Sequence, residues 1–149
     1  MTDLTPADFK TRLKPMTQII GIDYGVKRIG VAVSDLMQMT ATPLKIVANM
    51  AELQKLIDER DIGGFVIGLP RLMNGQEGEQ AATTRAWVAK LKERVDLPVL
   101  FWDERLSSKA VTRMFIEQAD MSRKRQKEIT DKVAAAYILQ NALDLLATI

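Results

Sequence analysis

The sequence predicts an α/β domain in which helices cover both faces of a five-stranded mixed sheet. Three observations carry this. Strand-length apolar runs beginning near Gln18, Arg28 and Ala41 follow one another with only turns between them, the spacing of antiparallel neighbours. Two further runs, Phe65–Pro70 and Leu97–Glu104, are each reached through a segment of helical periodicity, as parallel crossover strands require. The last third of the 149-residue chain reads as helix.

Taken in order, Thr5-Pro6-Ala7-Asp8 has the form of a helix start, with Thr5 as N-cap and Pro6 in the first turn, and Pro15 ends the segment. Residues 1–16 are expected to form an appendage to a domain over 17–149. The run from Gln18 and the run Arg28–Ser34 form a hairpin around the turn Tyr24–Lys27, and Ala41–Val47 supplies the third strand. A helix over Met50–Glu59 presents Leu53, Leu56 and Ile57, and Gly63-Gly64 is expected to break it. The all-apolar run Phe65–Pro70 suits a central strand buried on both faces. After a loop at Asn74-Gly75, a helix over Glu79–Arg94 offers Ala82, Ala86, Val88 and Leu91 for burial. Helices over Ser108–Gln118 and Ser122–Ala147 close the chain.

Composition narrows the chemistry. The chain has no histidine and no cysteine, which removes imidazole bases, thiolate nucleophiles and the usual zinc ligands. Carboxylates, lysines, arginines and hydroxyls are left, and oxygen-only ligation favours Mg²⁺, Mn²⁺ or Ca²⁺. No window reaches the roughly 18 apolar residues of a membrane span, and the first residues lack the apolar centre of a secretory signal, so a cytoplasmic protein is expected. Net charge is only +2, but Arg105–Lys132 holds eight basic residues against four acidic ones. The positive charge is therefore concentrated in one region.

Asp23 ends a strand whose preceding residues are Ile19, Ile20, Gly21 and Ile22, where a buried carboxylate costs several kcal/mol unless compensated. Asp103 and Glu104 end the fifth strand. Asp131 begins a helical stripe continued by Ala135, Ile138, Ala142 and Leu145, so it is expected to face the sheet. Ligands gather at the carboxyl ends of parallel strands in such sheets. If these acids meet there, each pair at ~4 Å repels by roughly 4 kcal/mol at an effective dielectric near 20, which calls for a divalent cation or protonation. Each acid also has a local explanation. Asp23 suits an Asx turn beside Gly25, Asp103 a pair with Arg105, and Asp131 a cap or a pair with Lys127 or Lys132.

The same double reading applies to the groups around them. Gly25 and Gly30 permit either close approach to a phosphate or a turn and a strand glycine. Lys27 and Arg28 hold phosphates or solubilise a hairpin. Ser107 or Ser108 caps the following helix, whose N-terminus is also a phosphate seat. Arg123, Lys124, Arg125 and Lys127 form the densest basic cluster, either a solvated helix face or a nucleic-acid contact.

Four blocks, GIDYGVKRIGVAVSD, VIGLP with the later NG, DERLSS and DKVAAAYIL, resemble in order and spacing the YqgF/RuvX family of pre-16S rRNA nucleases, formerly described as Holliday junction resolvases. The resemblance spans about residues 18 to 147. It implies a ribonuclease H-like fold with strand order 3-2-1-4-5 and a two-metal endonuclease using Mg²⁺ or Mn²⁺. Catalytic residues carried over are Asp23, Glu104 and Asp131, with Asp103 as a further metal ligand. The residues read above as phosphate contacts, Gly25, Lys27, Arg28, Ser107, Ser108, Arg123, Lys124, Arg125 and Lys127, are expected, with Arg105, to bind the substrate. The implied partner is pre-rRNA, alone or in ribosomal precursor particles, with branched DNA as the alternative and a monomer or weak homodimer as the assembly. The resolvase branch carries another acid one turn after the third, where this chain has Ala134.

Three other readings compete. A four-way DNA junction resolvase would work as a symmetric dimer. Sugar kinases and actin-like ATPases open with a similar DxG hairpin but need two such domains. An rRNA-binding assembly factor would keep the fold without the chemistry.

Overall fold

The computed structural model describes residues 3–104 and 123–149, with side chains of 123–131 excepted. The elements are α1 (Pro6–Arg12), β1 (Gln18–Tyr24), β2 (Ile29–Ser34), β3 (Ala41–Val47), α2 (Met50–Asp58), β4 (Ile62–Leu69), α3 (Glu79–Arg94), β5 (Val99–Asp103) and α4 (Arg123–Leu146). The expected helix over Ser108–Gln118 lies outside the described residues.

The strands form one sheet in the order β3-β2-β1-β4-β5. β1 pairs antiparallel with β2 and parallel with β4, and β4 pairs parallel with β5. β3 is an edge strand. Its Pro43, which offers no ladder donor, stands opposite Ala32 beside a register shift.

Alternation along β1 sorts the core into two layers. Ile20 and Ile22 join Ile67, Leu53, Ile57, Val88 and Leu91 under α2 and α3. Ile19 joins Phe9, Val66, Ile138, Leu139 and Ala142 under α1 and α4. Helices therefore cover both faces, as the sequence predicts.

Three expectations are corrected. Gly63 and Gly64 do not break α2, which ends at Asp58; they lie inside β4. A Cβ on Gly63 would run into Thr17, and one on Gly64 would stand 3.0 Å from both Phe9 and Leu13, so Gly64 is what admits α1. On α3 the buried residues are Ala81, Thr84, Val88 and Leu91, while Ala82 and Ala86 are exposed. The buried set keeps the 3-4-3 spacing of a single helix face, which Ala82 and Ala86 do not share. On α4, Ala135, Ile138 and Ala142 are buried, but Leu145 is 38% exposed while Leu139, Leu143 and Leu146 are covered. The buried arc is thus displaced toward those leucines.

The N-terminal segment is tied to this core. Thr5 caps α1 by accepting from the Asp8 amide at 3.1 Å. Phe9 is fully buried. Lys10 Nζ donates to the carbonyls of Leu146 at 2.6 Å and of Ile149, satisfying the last turn of α4. Arg85 of α3 donates to both carboxylate oxygens of Asp3, at 2.9 and 2.7 Å, and to Glu77 at 2.6 and 2.9 Å. Among the described residues, no helix is long and apolar enough to cross a membrane.

Candidate active site

The parallel strands β1, β4 and β5 present their carboxyl ends together. Asp23 follows Ile19 and Gly21 in alternation, so it faces α4, and only 6% of its surface is exposed. Gly21 is the reason α4 comes close. A Cβ there would stand 2.6 Å from Leu139 Cβ and 2.9 Å from the Ala135 carbonyl, so only glycine fits.

Gly68 is the second such position. Ile22 pairs with Ile67, so the next residue of β4, Gly68, lies beside Asp23 at the strand spacing of about 5 Å. A Cβ on Gly68 would meet Ile138 Cδ1 at 2.7 Å and Glu104 Cγ and Oε1 at 2.9 Å. The Glu104 carboxylate thus occupies the space over Gly68, on the strand neighbouring Asp23. The sequence reading had no role for Gly68; its signal was a glycine in an otherwise all-apolar central strand.

Asp103 takes the other direction. It pairs in register with Leu69, and its Oδ2 lies 3.9 Å from Arg71 Nε. Alternation places it with Phe101 toward α3, whereas Trp102 packs against the α4 layer.

Asp131 lies on α4 one turn before Ala135. One helical turn is ~6 Å and two strand residues are ~7 Å. Gln140 bonds Ala41 at the start of β3 while Lys132 lies beside Val47 at its end, so with Ala135 against Gly21 the backbone at 131 lies toward the carboxyl end of β1, where Asp23 stands. The Asp131 side chain lies outside the described residues, as do those of Arg123, Lys124, Arg125 and Lys127. Arg105, Ser107 and Ser108 are outside them altogether. Among the described residues, no three acidic side chains form a metal-binding group.

A cleft of about 370 Å³ opens at these strand ends, lined among others by Tyr24, Gly25, Pro70, Gln80, Thr84 and Glu104. Tyr24 is fixed by stacking on Trp87, with ring centroids 4.8 Å apart. Gly25 closes the β1–β2 turn: its amide donates to the Arg28 carbonyl at 2.9 Å, and a Cβ would approach that oxygen to 2.7 Å. Lys27 is exposed and Arg28 half-buried on the same turn.

The family model described as "RuvX: Holliday junction resolvase" matches residues 17–145. The chain belongs to the RuvX family. A RuvX relative from Rhodobacter capsulatus, provisionally named pre-16S rRNA nuclease, is 48% identical over 146 residues, covering 94% of this chain and 91% of its own. Another from a Ruegeria species, under the same name, is 49% identical over 143 residues, with 92% and 90% covered. Family and relatives alike carry the names of nucleases. Among solved structures, Thermus thermophilus RuvC is 12% identical with a TM-score of 0.51, covering 88% of this chain and 97% of that one. The yeast mitochondrial Holliday junction resolvase Ydc2 is 11% identical with a TM-score of 0.53, covering 91% and 82%. At those identities the likeness is one of fold, the ribonuclease H-like sheet that the sequence blocks implied.

Proposed function

We propose that this RuvX protein is a metal-dependent endonuclease that hydrolyses phosphodiesters of structured RNA and trims the 5′ end of pre-16S rRNA in the cytoplasm. The observation that carries the reading is the placement of the Glu104 carboxylate over Gly68, beside the strand position of buried Asp23. Relatives 48% and 49% identical that are named for pre-16S rRNA support the substrate.

The donor set fits a hard divalent cation. Asp23 and Glu104 offer carboxylate oxygens at the ends of β1 and β5, which flank β4, and Asp131 of α4 would add a third, a combination suited to Mg²⁺ or Mn²⁺. Metal ions held there by Asp23, Glu104 and Asp131 would supply an activated water and stabilisation of the departing oxygen, chemistry that a chain without histidine otherwise lacks. Asp23 and Glu104 hold their carboxylates rigidly, one on a buried strand and the other wedged against β4. Lys27 and Arg28, with the basic residues of α4, orient the backbone of the RNA. Asp103, paired with Arg71, keeps that loop in place.

A second reading, cleavage of four-way DNA junctions, is favoured by the family's description as a Holliday junction resolvase. Ala134, 3% exposed where the resolvase branch carries an acid, weighs against it. Purified protein incubated with precursor rRNA and with a DNA junction, each with Mg²⁺, Mn²⁺ or chelator, separates the two. Metal-dependent cutting of the rRNA alone is expected. Cutting of the junction alone would transfer the function to DNA, and undiminished cutting in chelator would overturn the metal.

A further inference from the structure

Beside the carboxylates, a second concavity of about 500 Å³ crosses the upper ends of β2 and β3. Lys27, Arg28, Lys45 and Lys132 line it from the β1–β2 turn, β3 and α4. Among the described residues one carboxylate lines it, that of Glu52, which is engaged in the cap of α2, where Oε2 accepts from the Ala48 amide at 2.6 Å. Among those residues, four cations face an acid that is already hydrogen-bonded.

Arg28 adds a second observation. Half-buried at the pocket, it carries a buried Nη1 with no hydrogen-bond partner among the described residues, and a buried donor left unsatisfied costs about 1–3 kcal/mol. The site also has the right position. Gly30 pairs with Asp23 on one side and with Ile46, a lining residue, on the other. The pocket thus begins two strand spacings, about 10 Å, from Asp23.

We infer that this pocket seats a backbone phosphate of the substrate strand, adjacent to the one that is cut, with Lys45 and Lys132 as contacts beyond those of the turn. The inference rests on the nucleic-acid substrate proposed above. Arg28 and the lysines hold the phosphate by charge and hydrogen bonds, fixing the strand's register over the carboxylates without reading its bases.

The test measures binding apart from cutting. In the D23N protein, the affinity for a precursor rRNA fragment is followed against KCl concentration, with and without K45Q, K132Q or both, and with K90Q on an exposed position of α3 as control. Each pocket lysine removed is expected to lower the slope of log K against log salt by about 0.7 and to weaken binding several-fold at low salt, while K90Q changes neither. Slopes and affinities of the K45Q/K132Q protein equal to those of K90Q would overturn the pocket. Lowered slopes together with no cleavage by the unsubstituted protein would uphold the pocket and sink the nuclease reading.

Discussion

Glu104 Oε1 lies 2.9 Å from where a Cβ on Gly68 would stand, so the carboxylate of one strand end fills the space left by a missing side chain on its neighbour. Gly68→Ala should therefore harm the site and the fold together. The methyl group would press on Ile138 as well as on Glu104, and overpacking of this kind costs about 1–3 kcal/mol. Thermal melting and cleavage rate, read on the same preparation, are expected to fall together. An active, fully stable G68A protein would show that Glu104 moves freely.

The two acids at the end of β5 should respond differently. Asp103 lies 3.9 Å from Arg71, while Glu104 lies over Gly68. E104Q is expected to lower cleavage by about 10²-fold or more, the scale of losing a group that stabilises developing charge. D103N should cost less than about tenfold, through the loop alone. Single-turnover rates decide this, and the reverse order would reassign the ligand.

Gly21 makes an equivalent prediction for the helix. A methyl group 2.6 Å from Leu139 Cβ pushes α4 away from β1. Because α4 also carries residue 131, G21A should lose roughly 1–3 kcal/mol and most of its cleavage activity. Leu139→Ala should not rescue it, because alanine keeps the Cβ and the Ala135 carbonyl stays 2.9 Å from the new methyl group. Urea unfolding and single-turnover rates check this, and a G21A protein of full stability and activity would show that α4 yields without cost.

Much of this arrangement was legible in the chain, and the reasons differ by element. β3 and α3 appear at their expected boundaries, although the face that α3 buries is not the one its apolar residues marked out. Asp23 was legible because a carboxylate after an apolar run contradicts its surroundings. The glycines were not. Gly63, Gly64 and Gly68 read locally as breakers or as weak strand residues, yet they leave room for Thr17, α1 and Glu104 respectively, contacts made by segments distant in sequence. The direction of Asp103 was hidden for the same reason, since Arg71 reaches it only once β4 and β5 pair.

Acid should erase one tertiary staple. Hydrogen bonds from Arg85 hold the Asp3 and Glu77 carboxyls below their ordinary values, and the same pairing raises Arg85. Depressed carboxyl pKa values stabilise the fold above the unfolded values of 3.8 and 4.5, and that contribution is lost as pH falls through the folded ones. Arg85 also lies over the Phe101 ring, 4.7 Å from its centroid, so R85Q should be less stable than the unsubstituted protein at pH 7 by about 1 kcal/mol, a figure discounted for partial exposure and including that contact. The gap should narrow below about pH 4, measured by urea unfolding across pH. A gap independent of pH would assign the effect to Phe101 packing alone.

If Asp23 and Glu104 share a divalent cation with Asp131, anomalous scattering from crystals grown with Mn²⁺ should reveal it. A peak is expected within coordination distance, about 2.0–2.6 Å, of both the Asp23 and Glu104 carboxylates, absent in D23N crystals. Mn²⁺ bound elsewhere, with both carboxylates ligand-free at saturating metal, would contradict it.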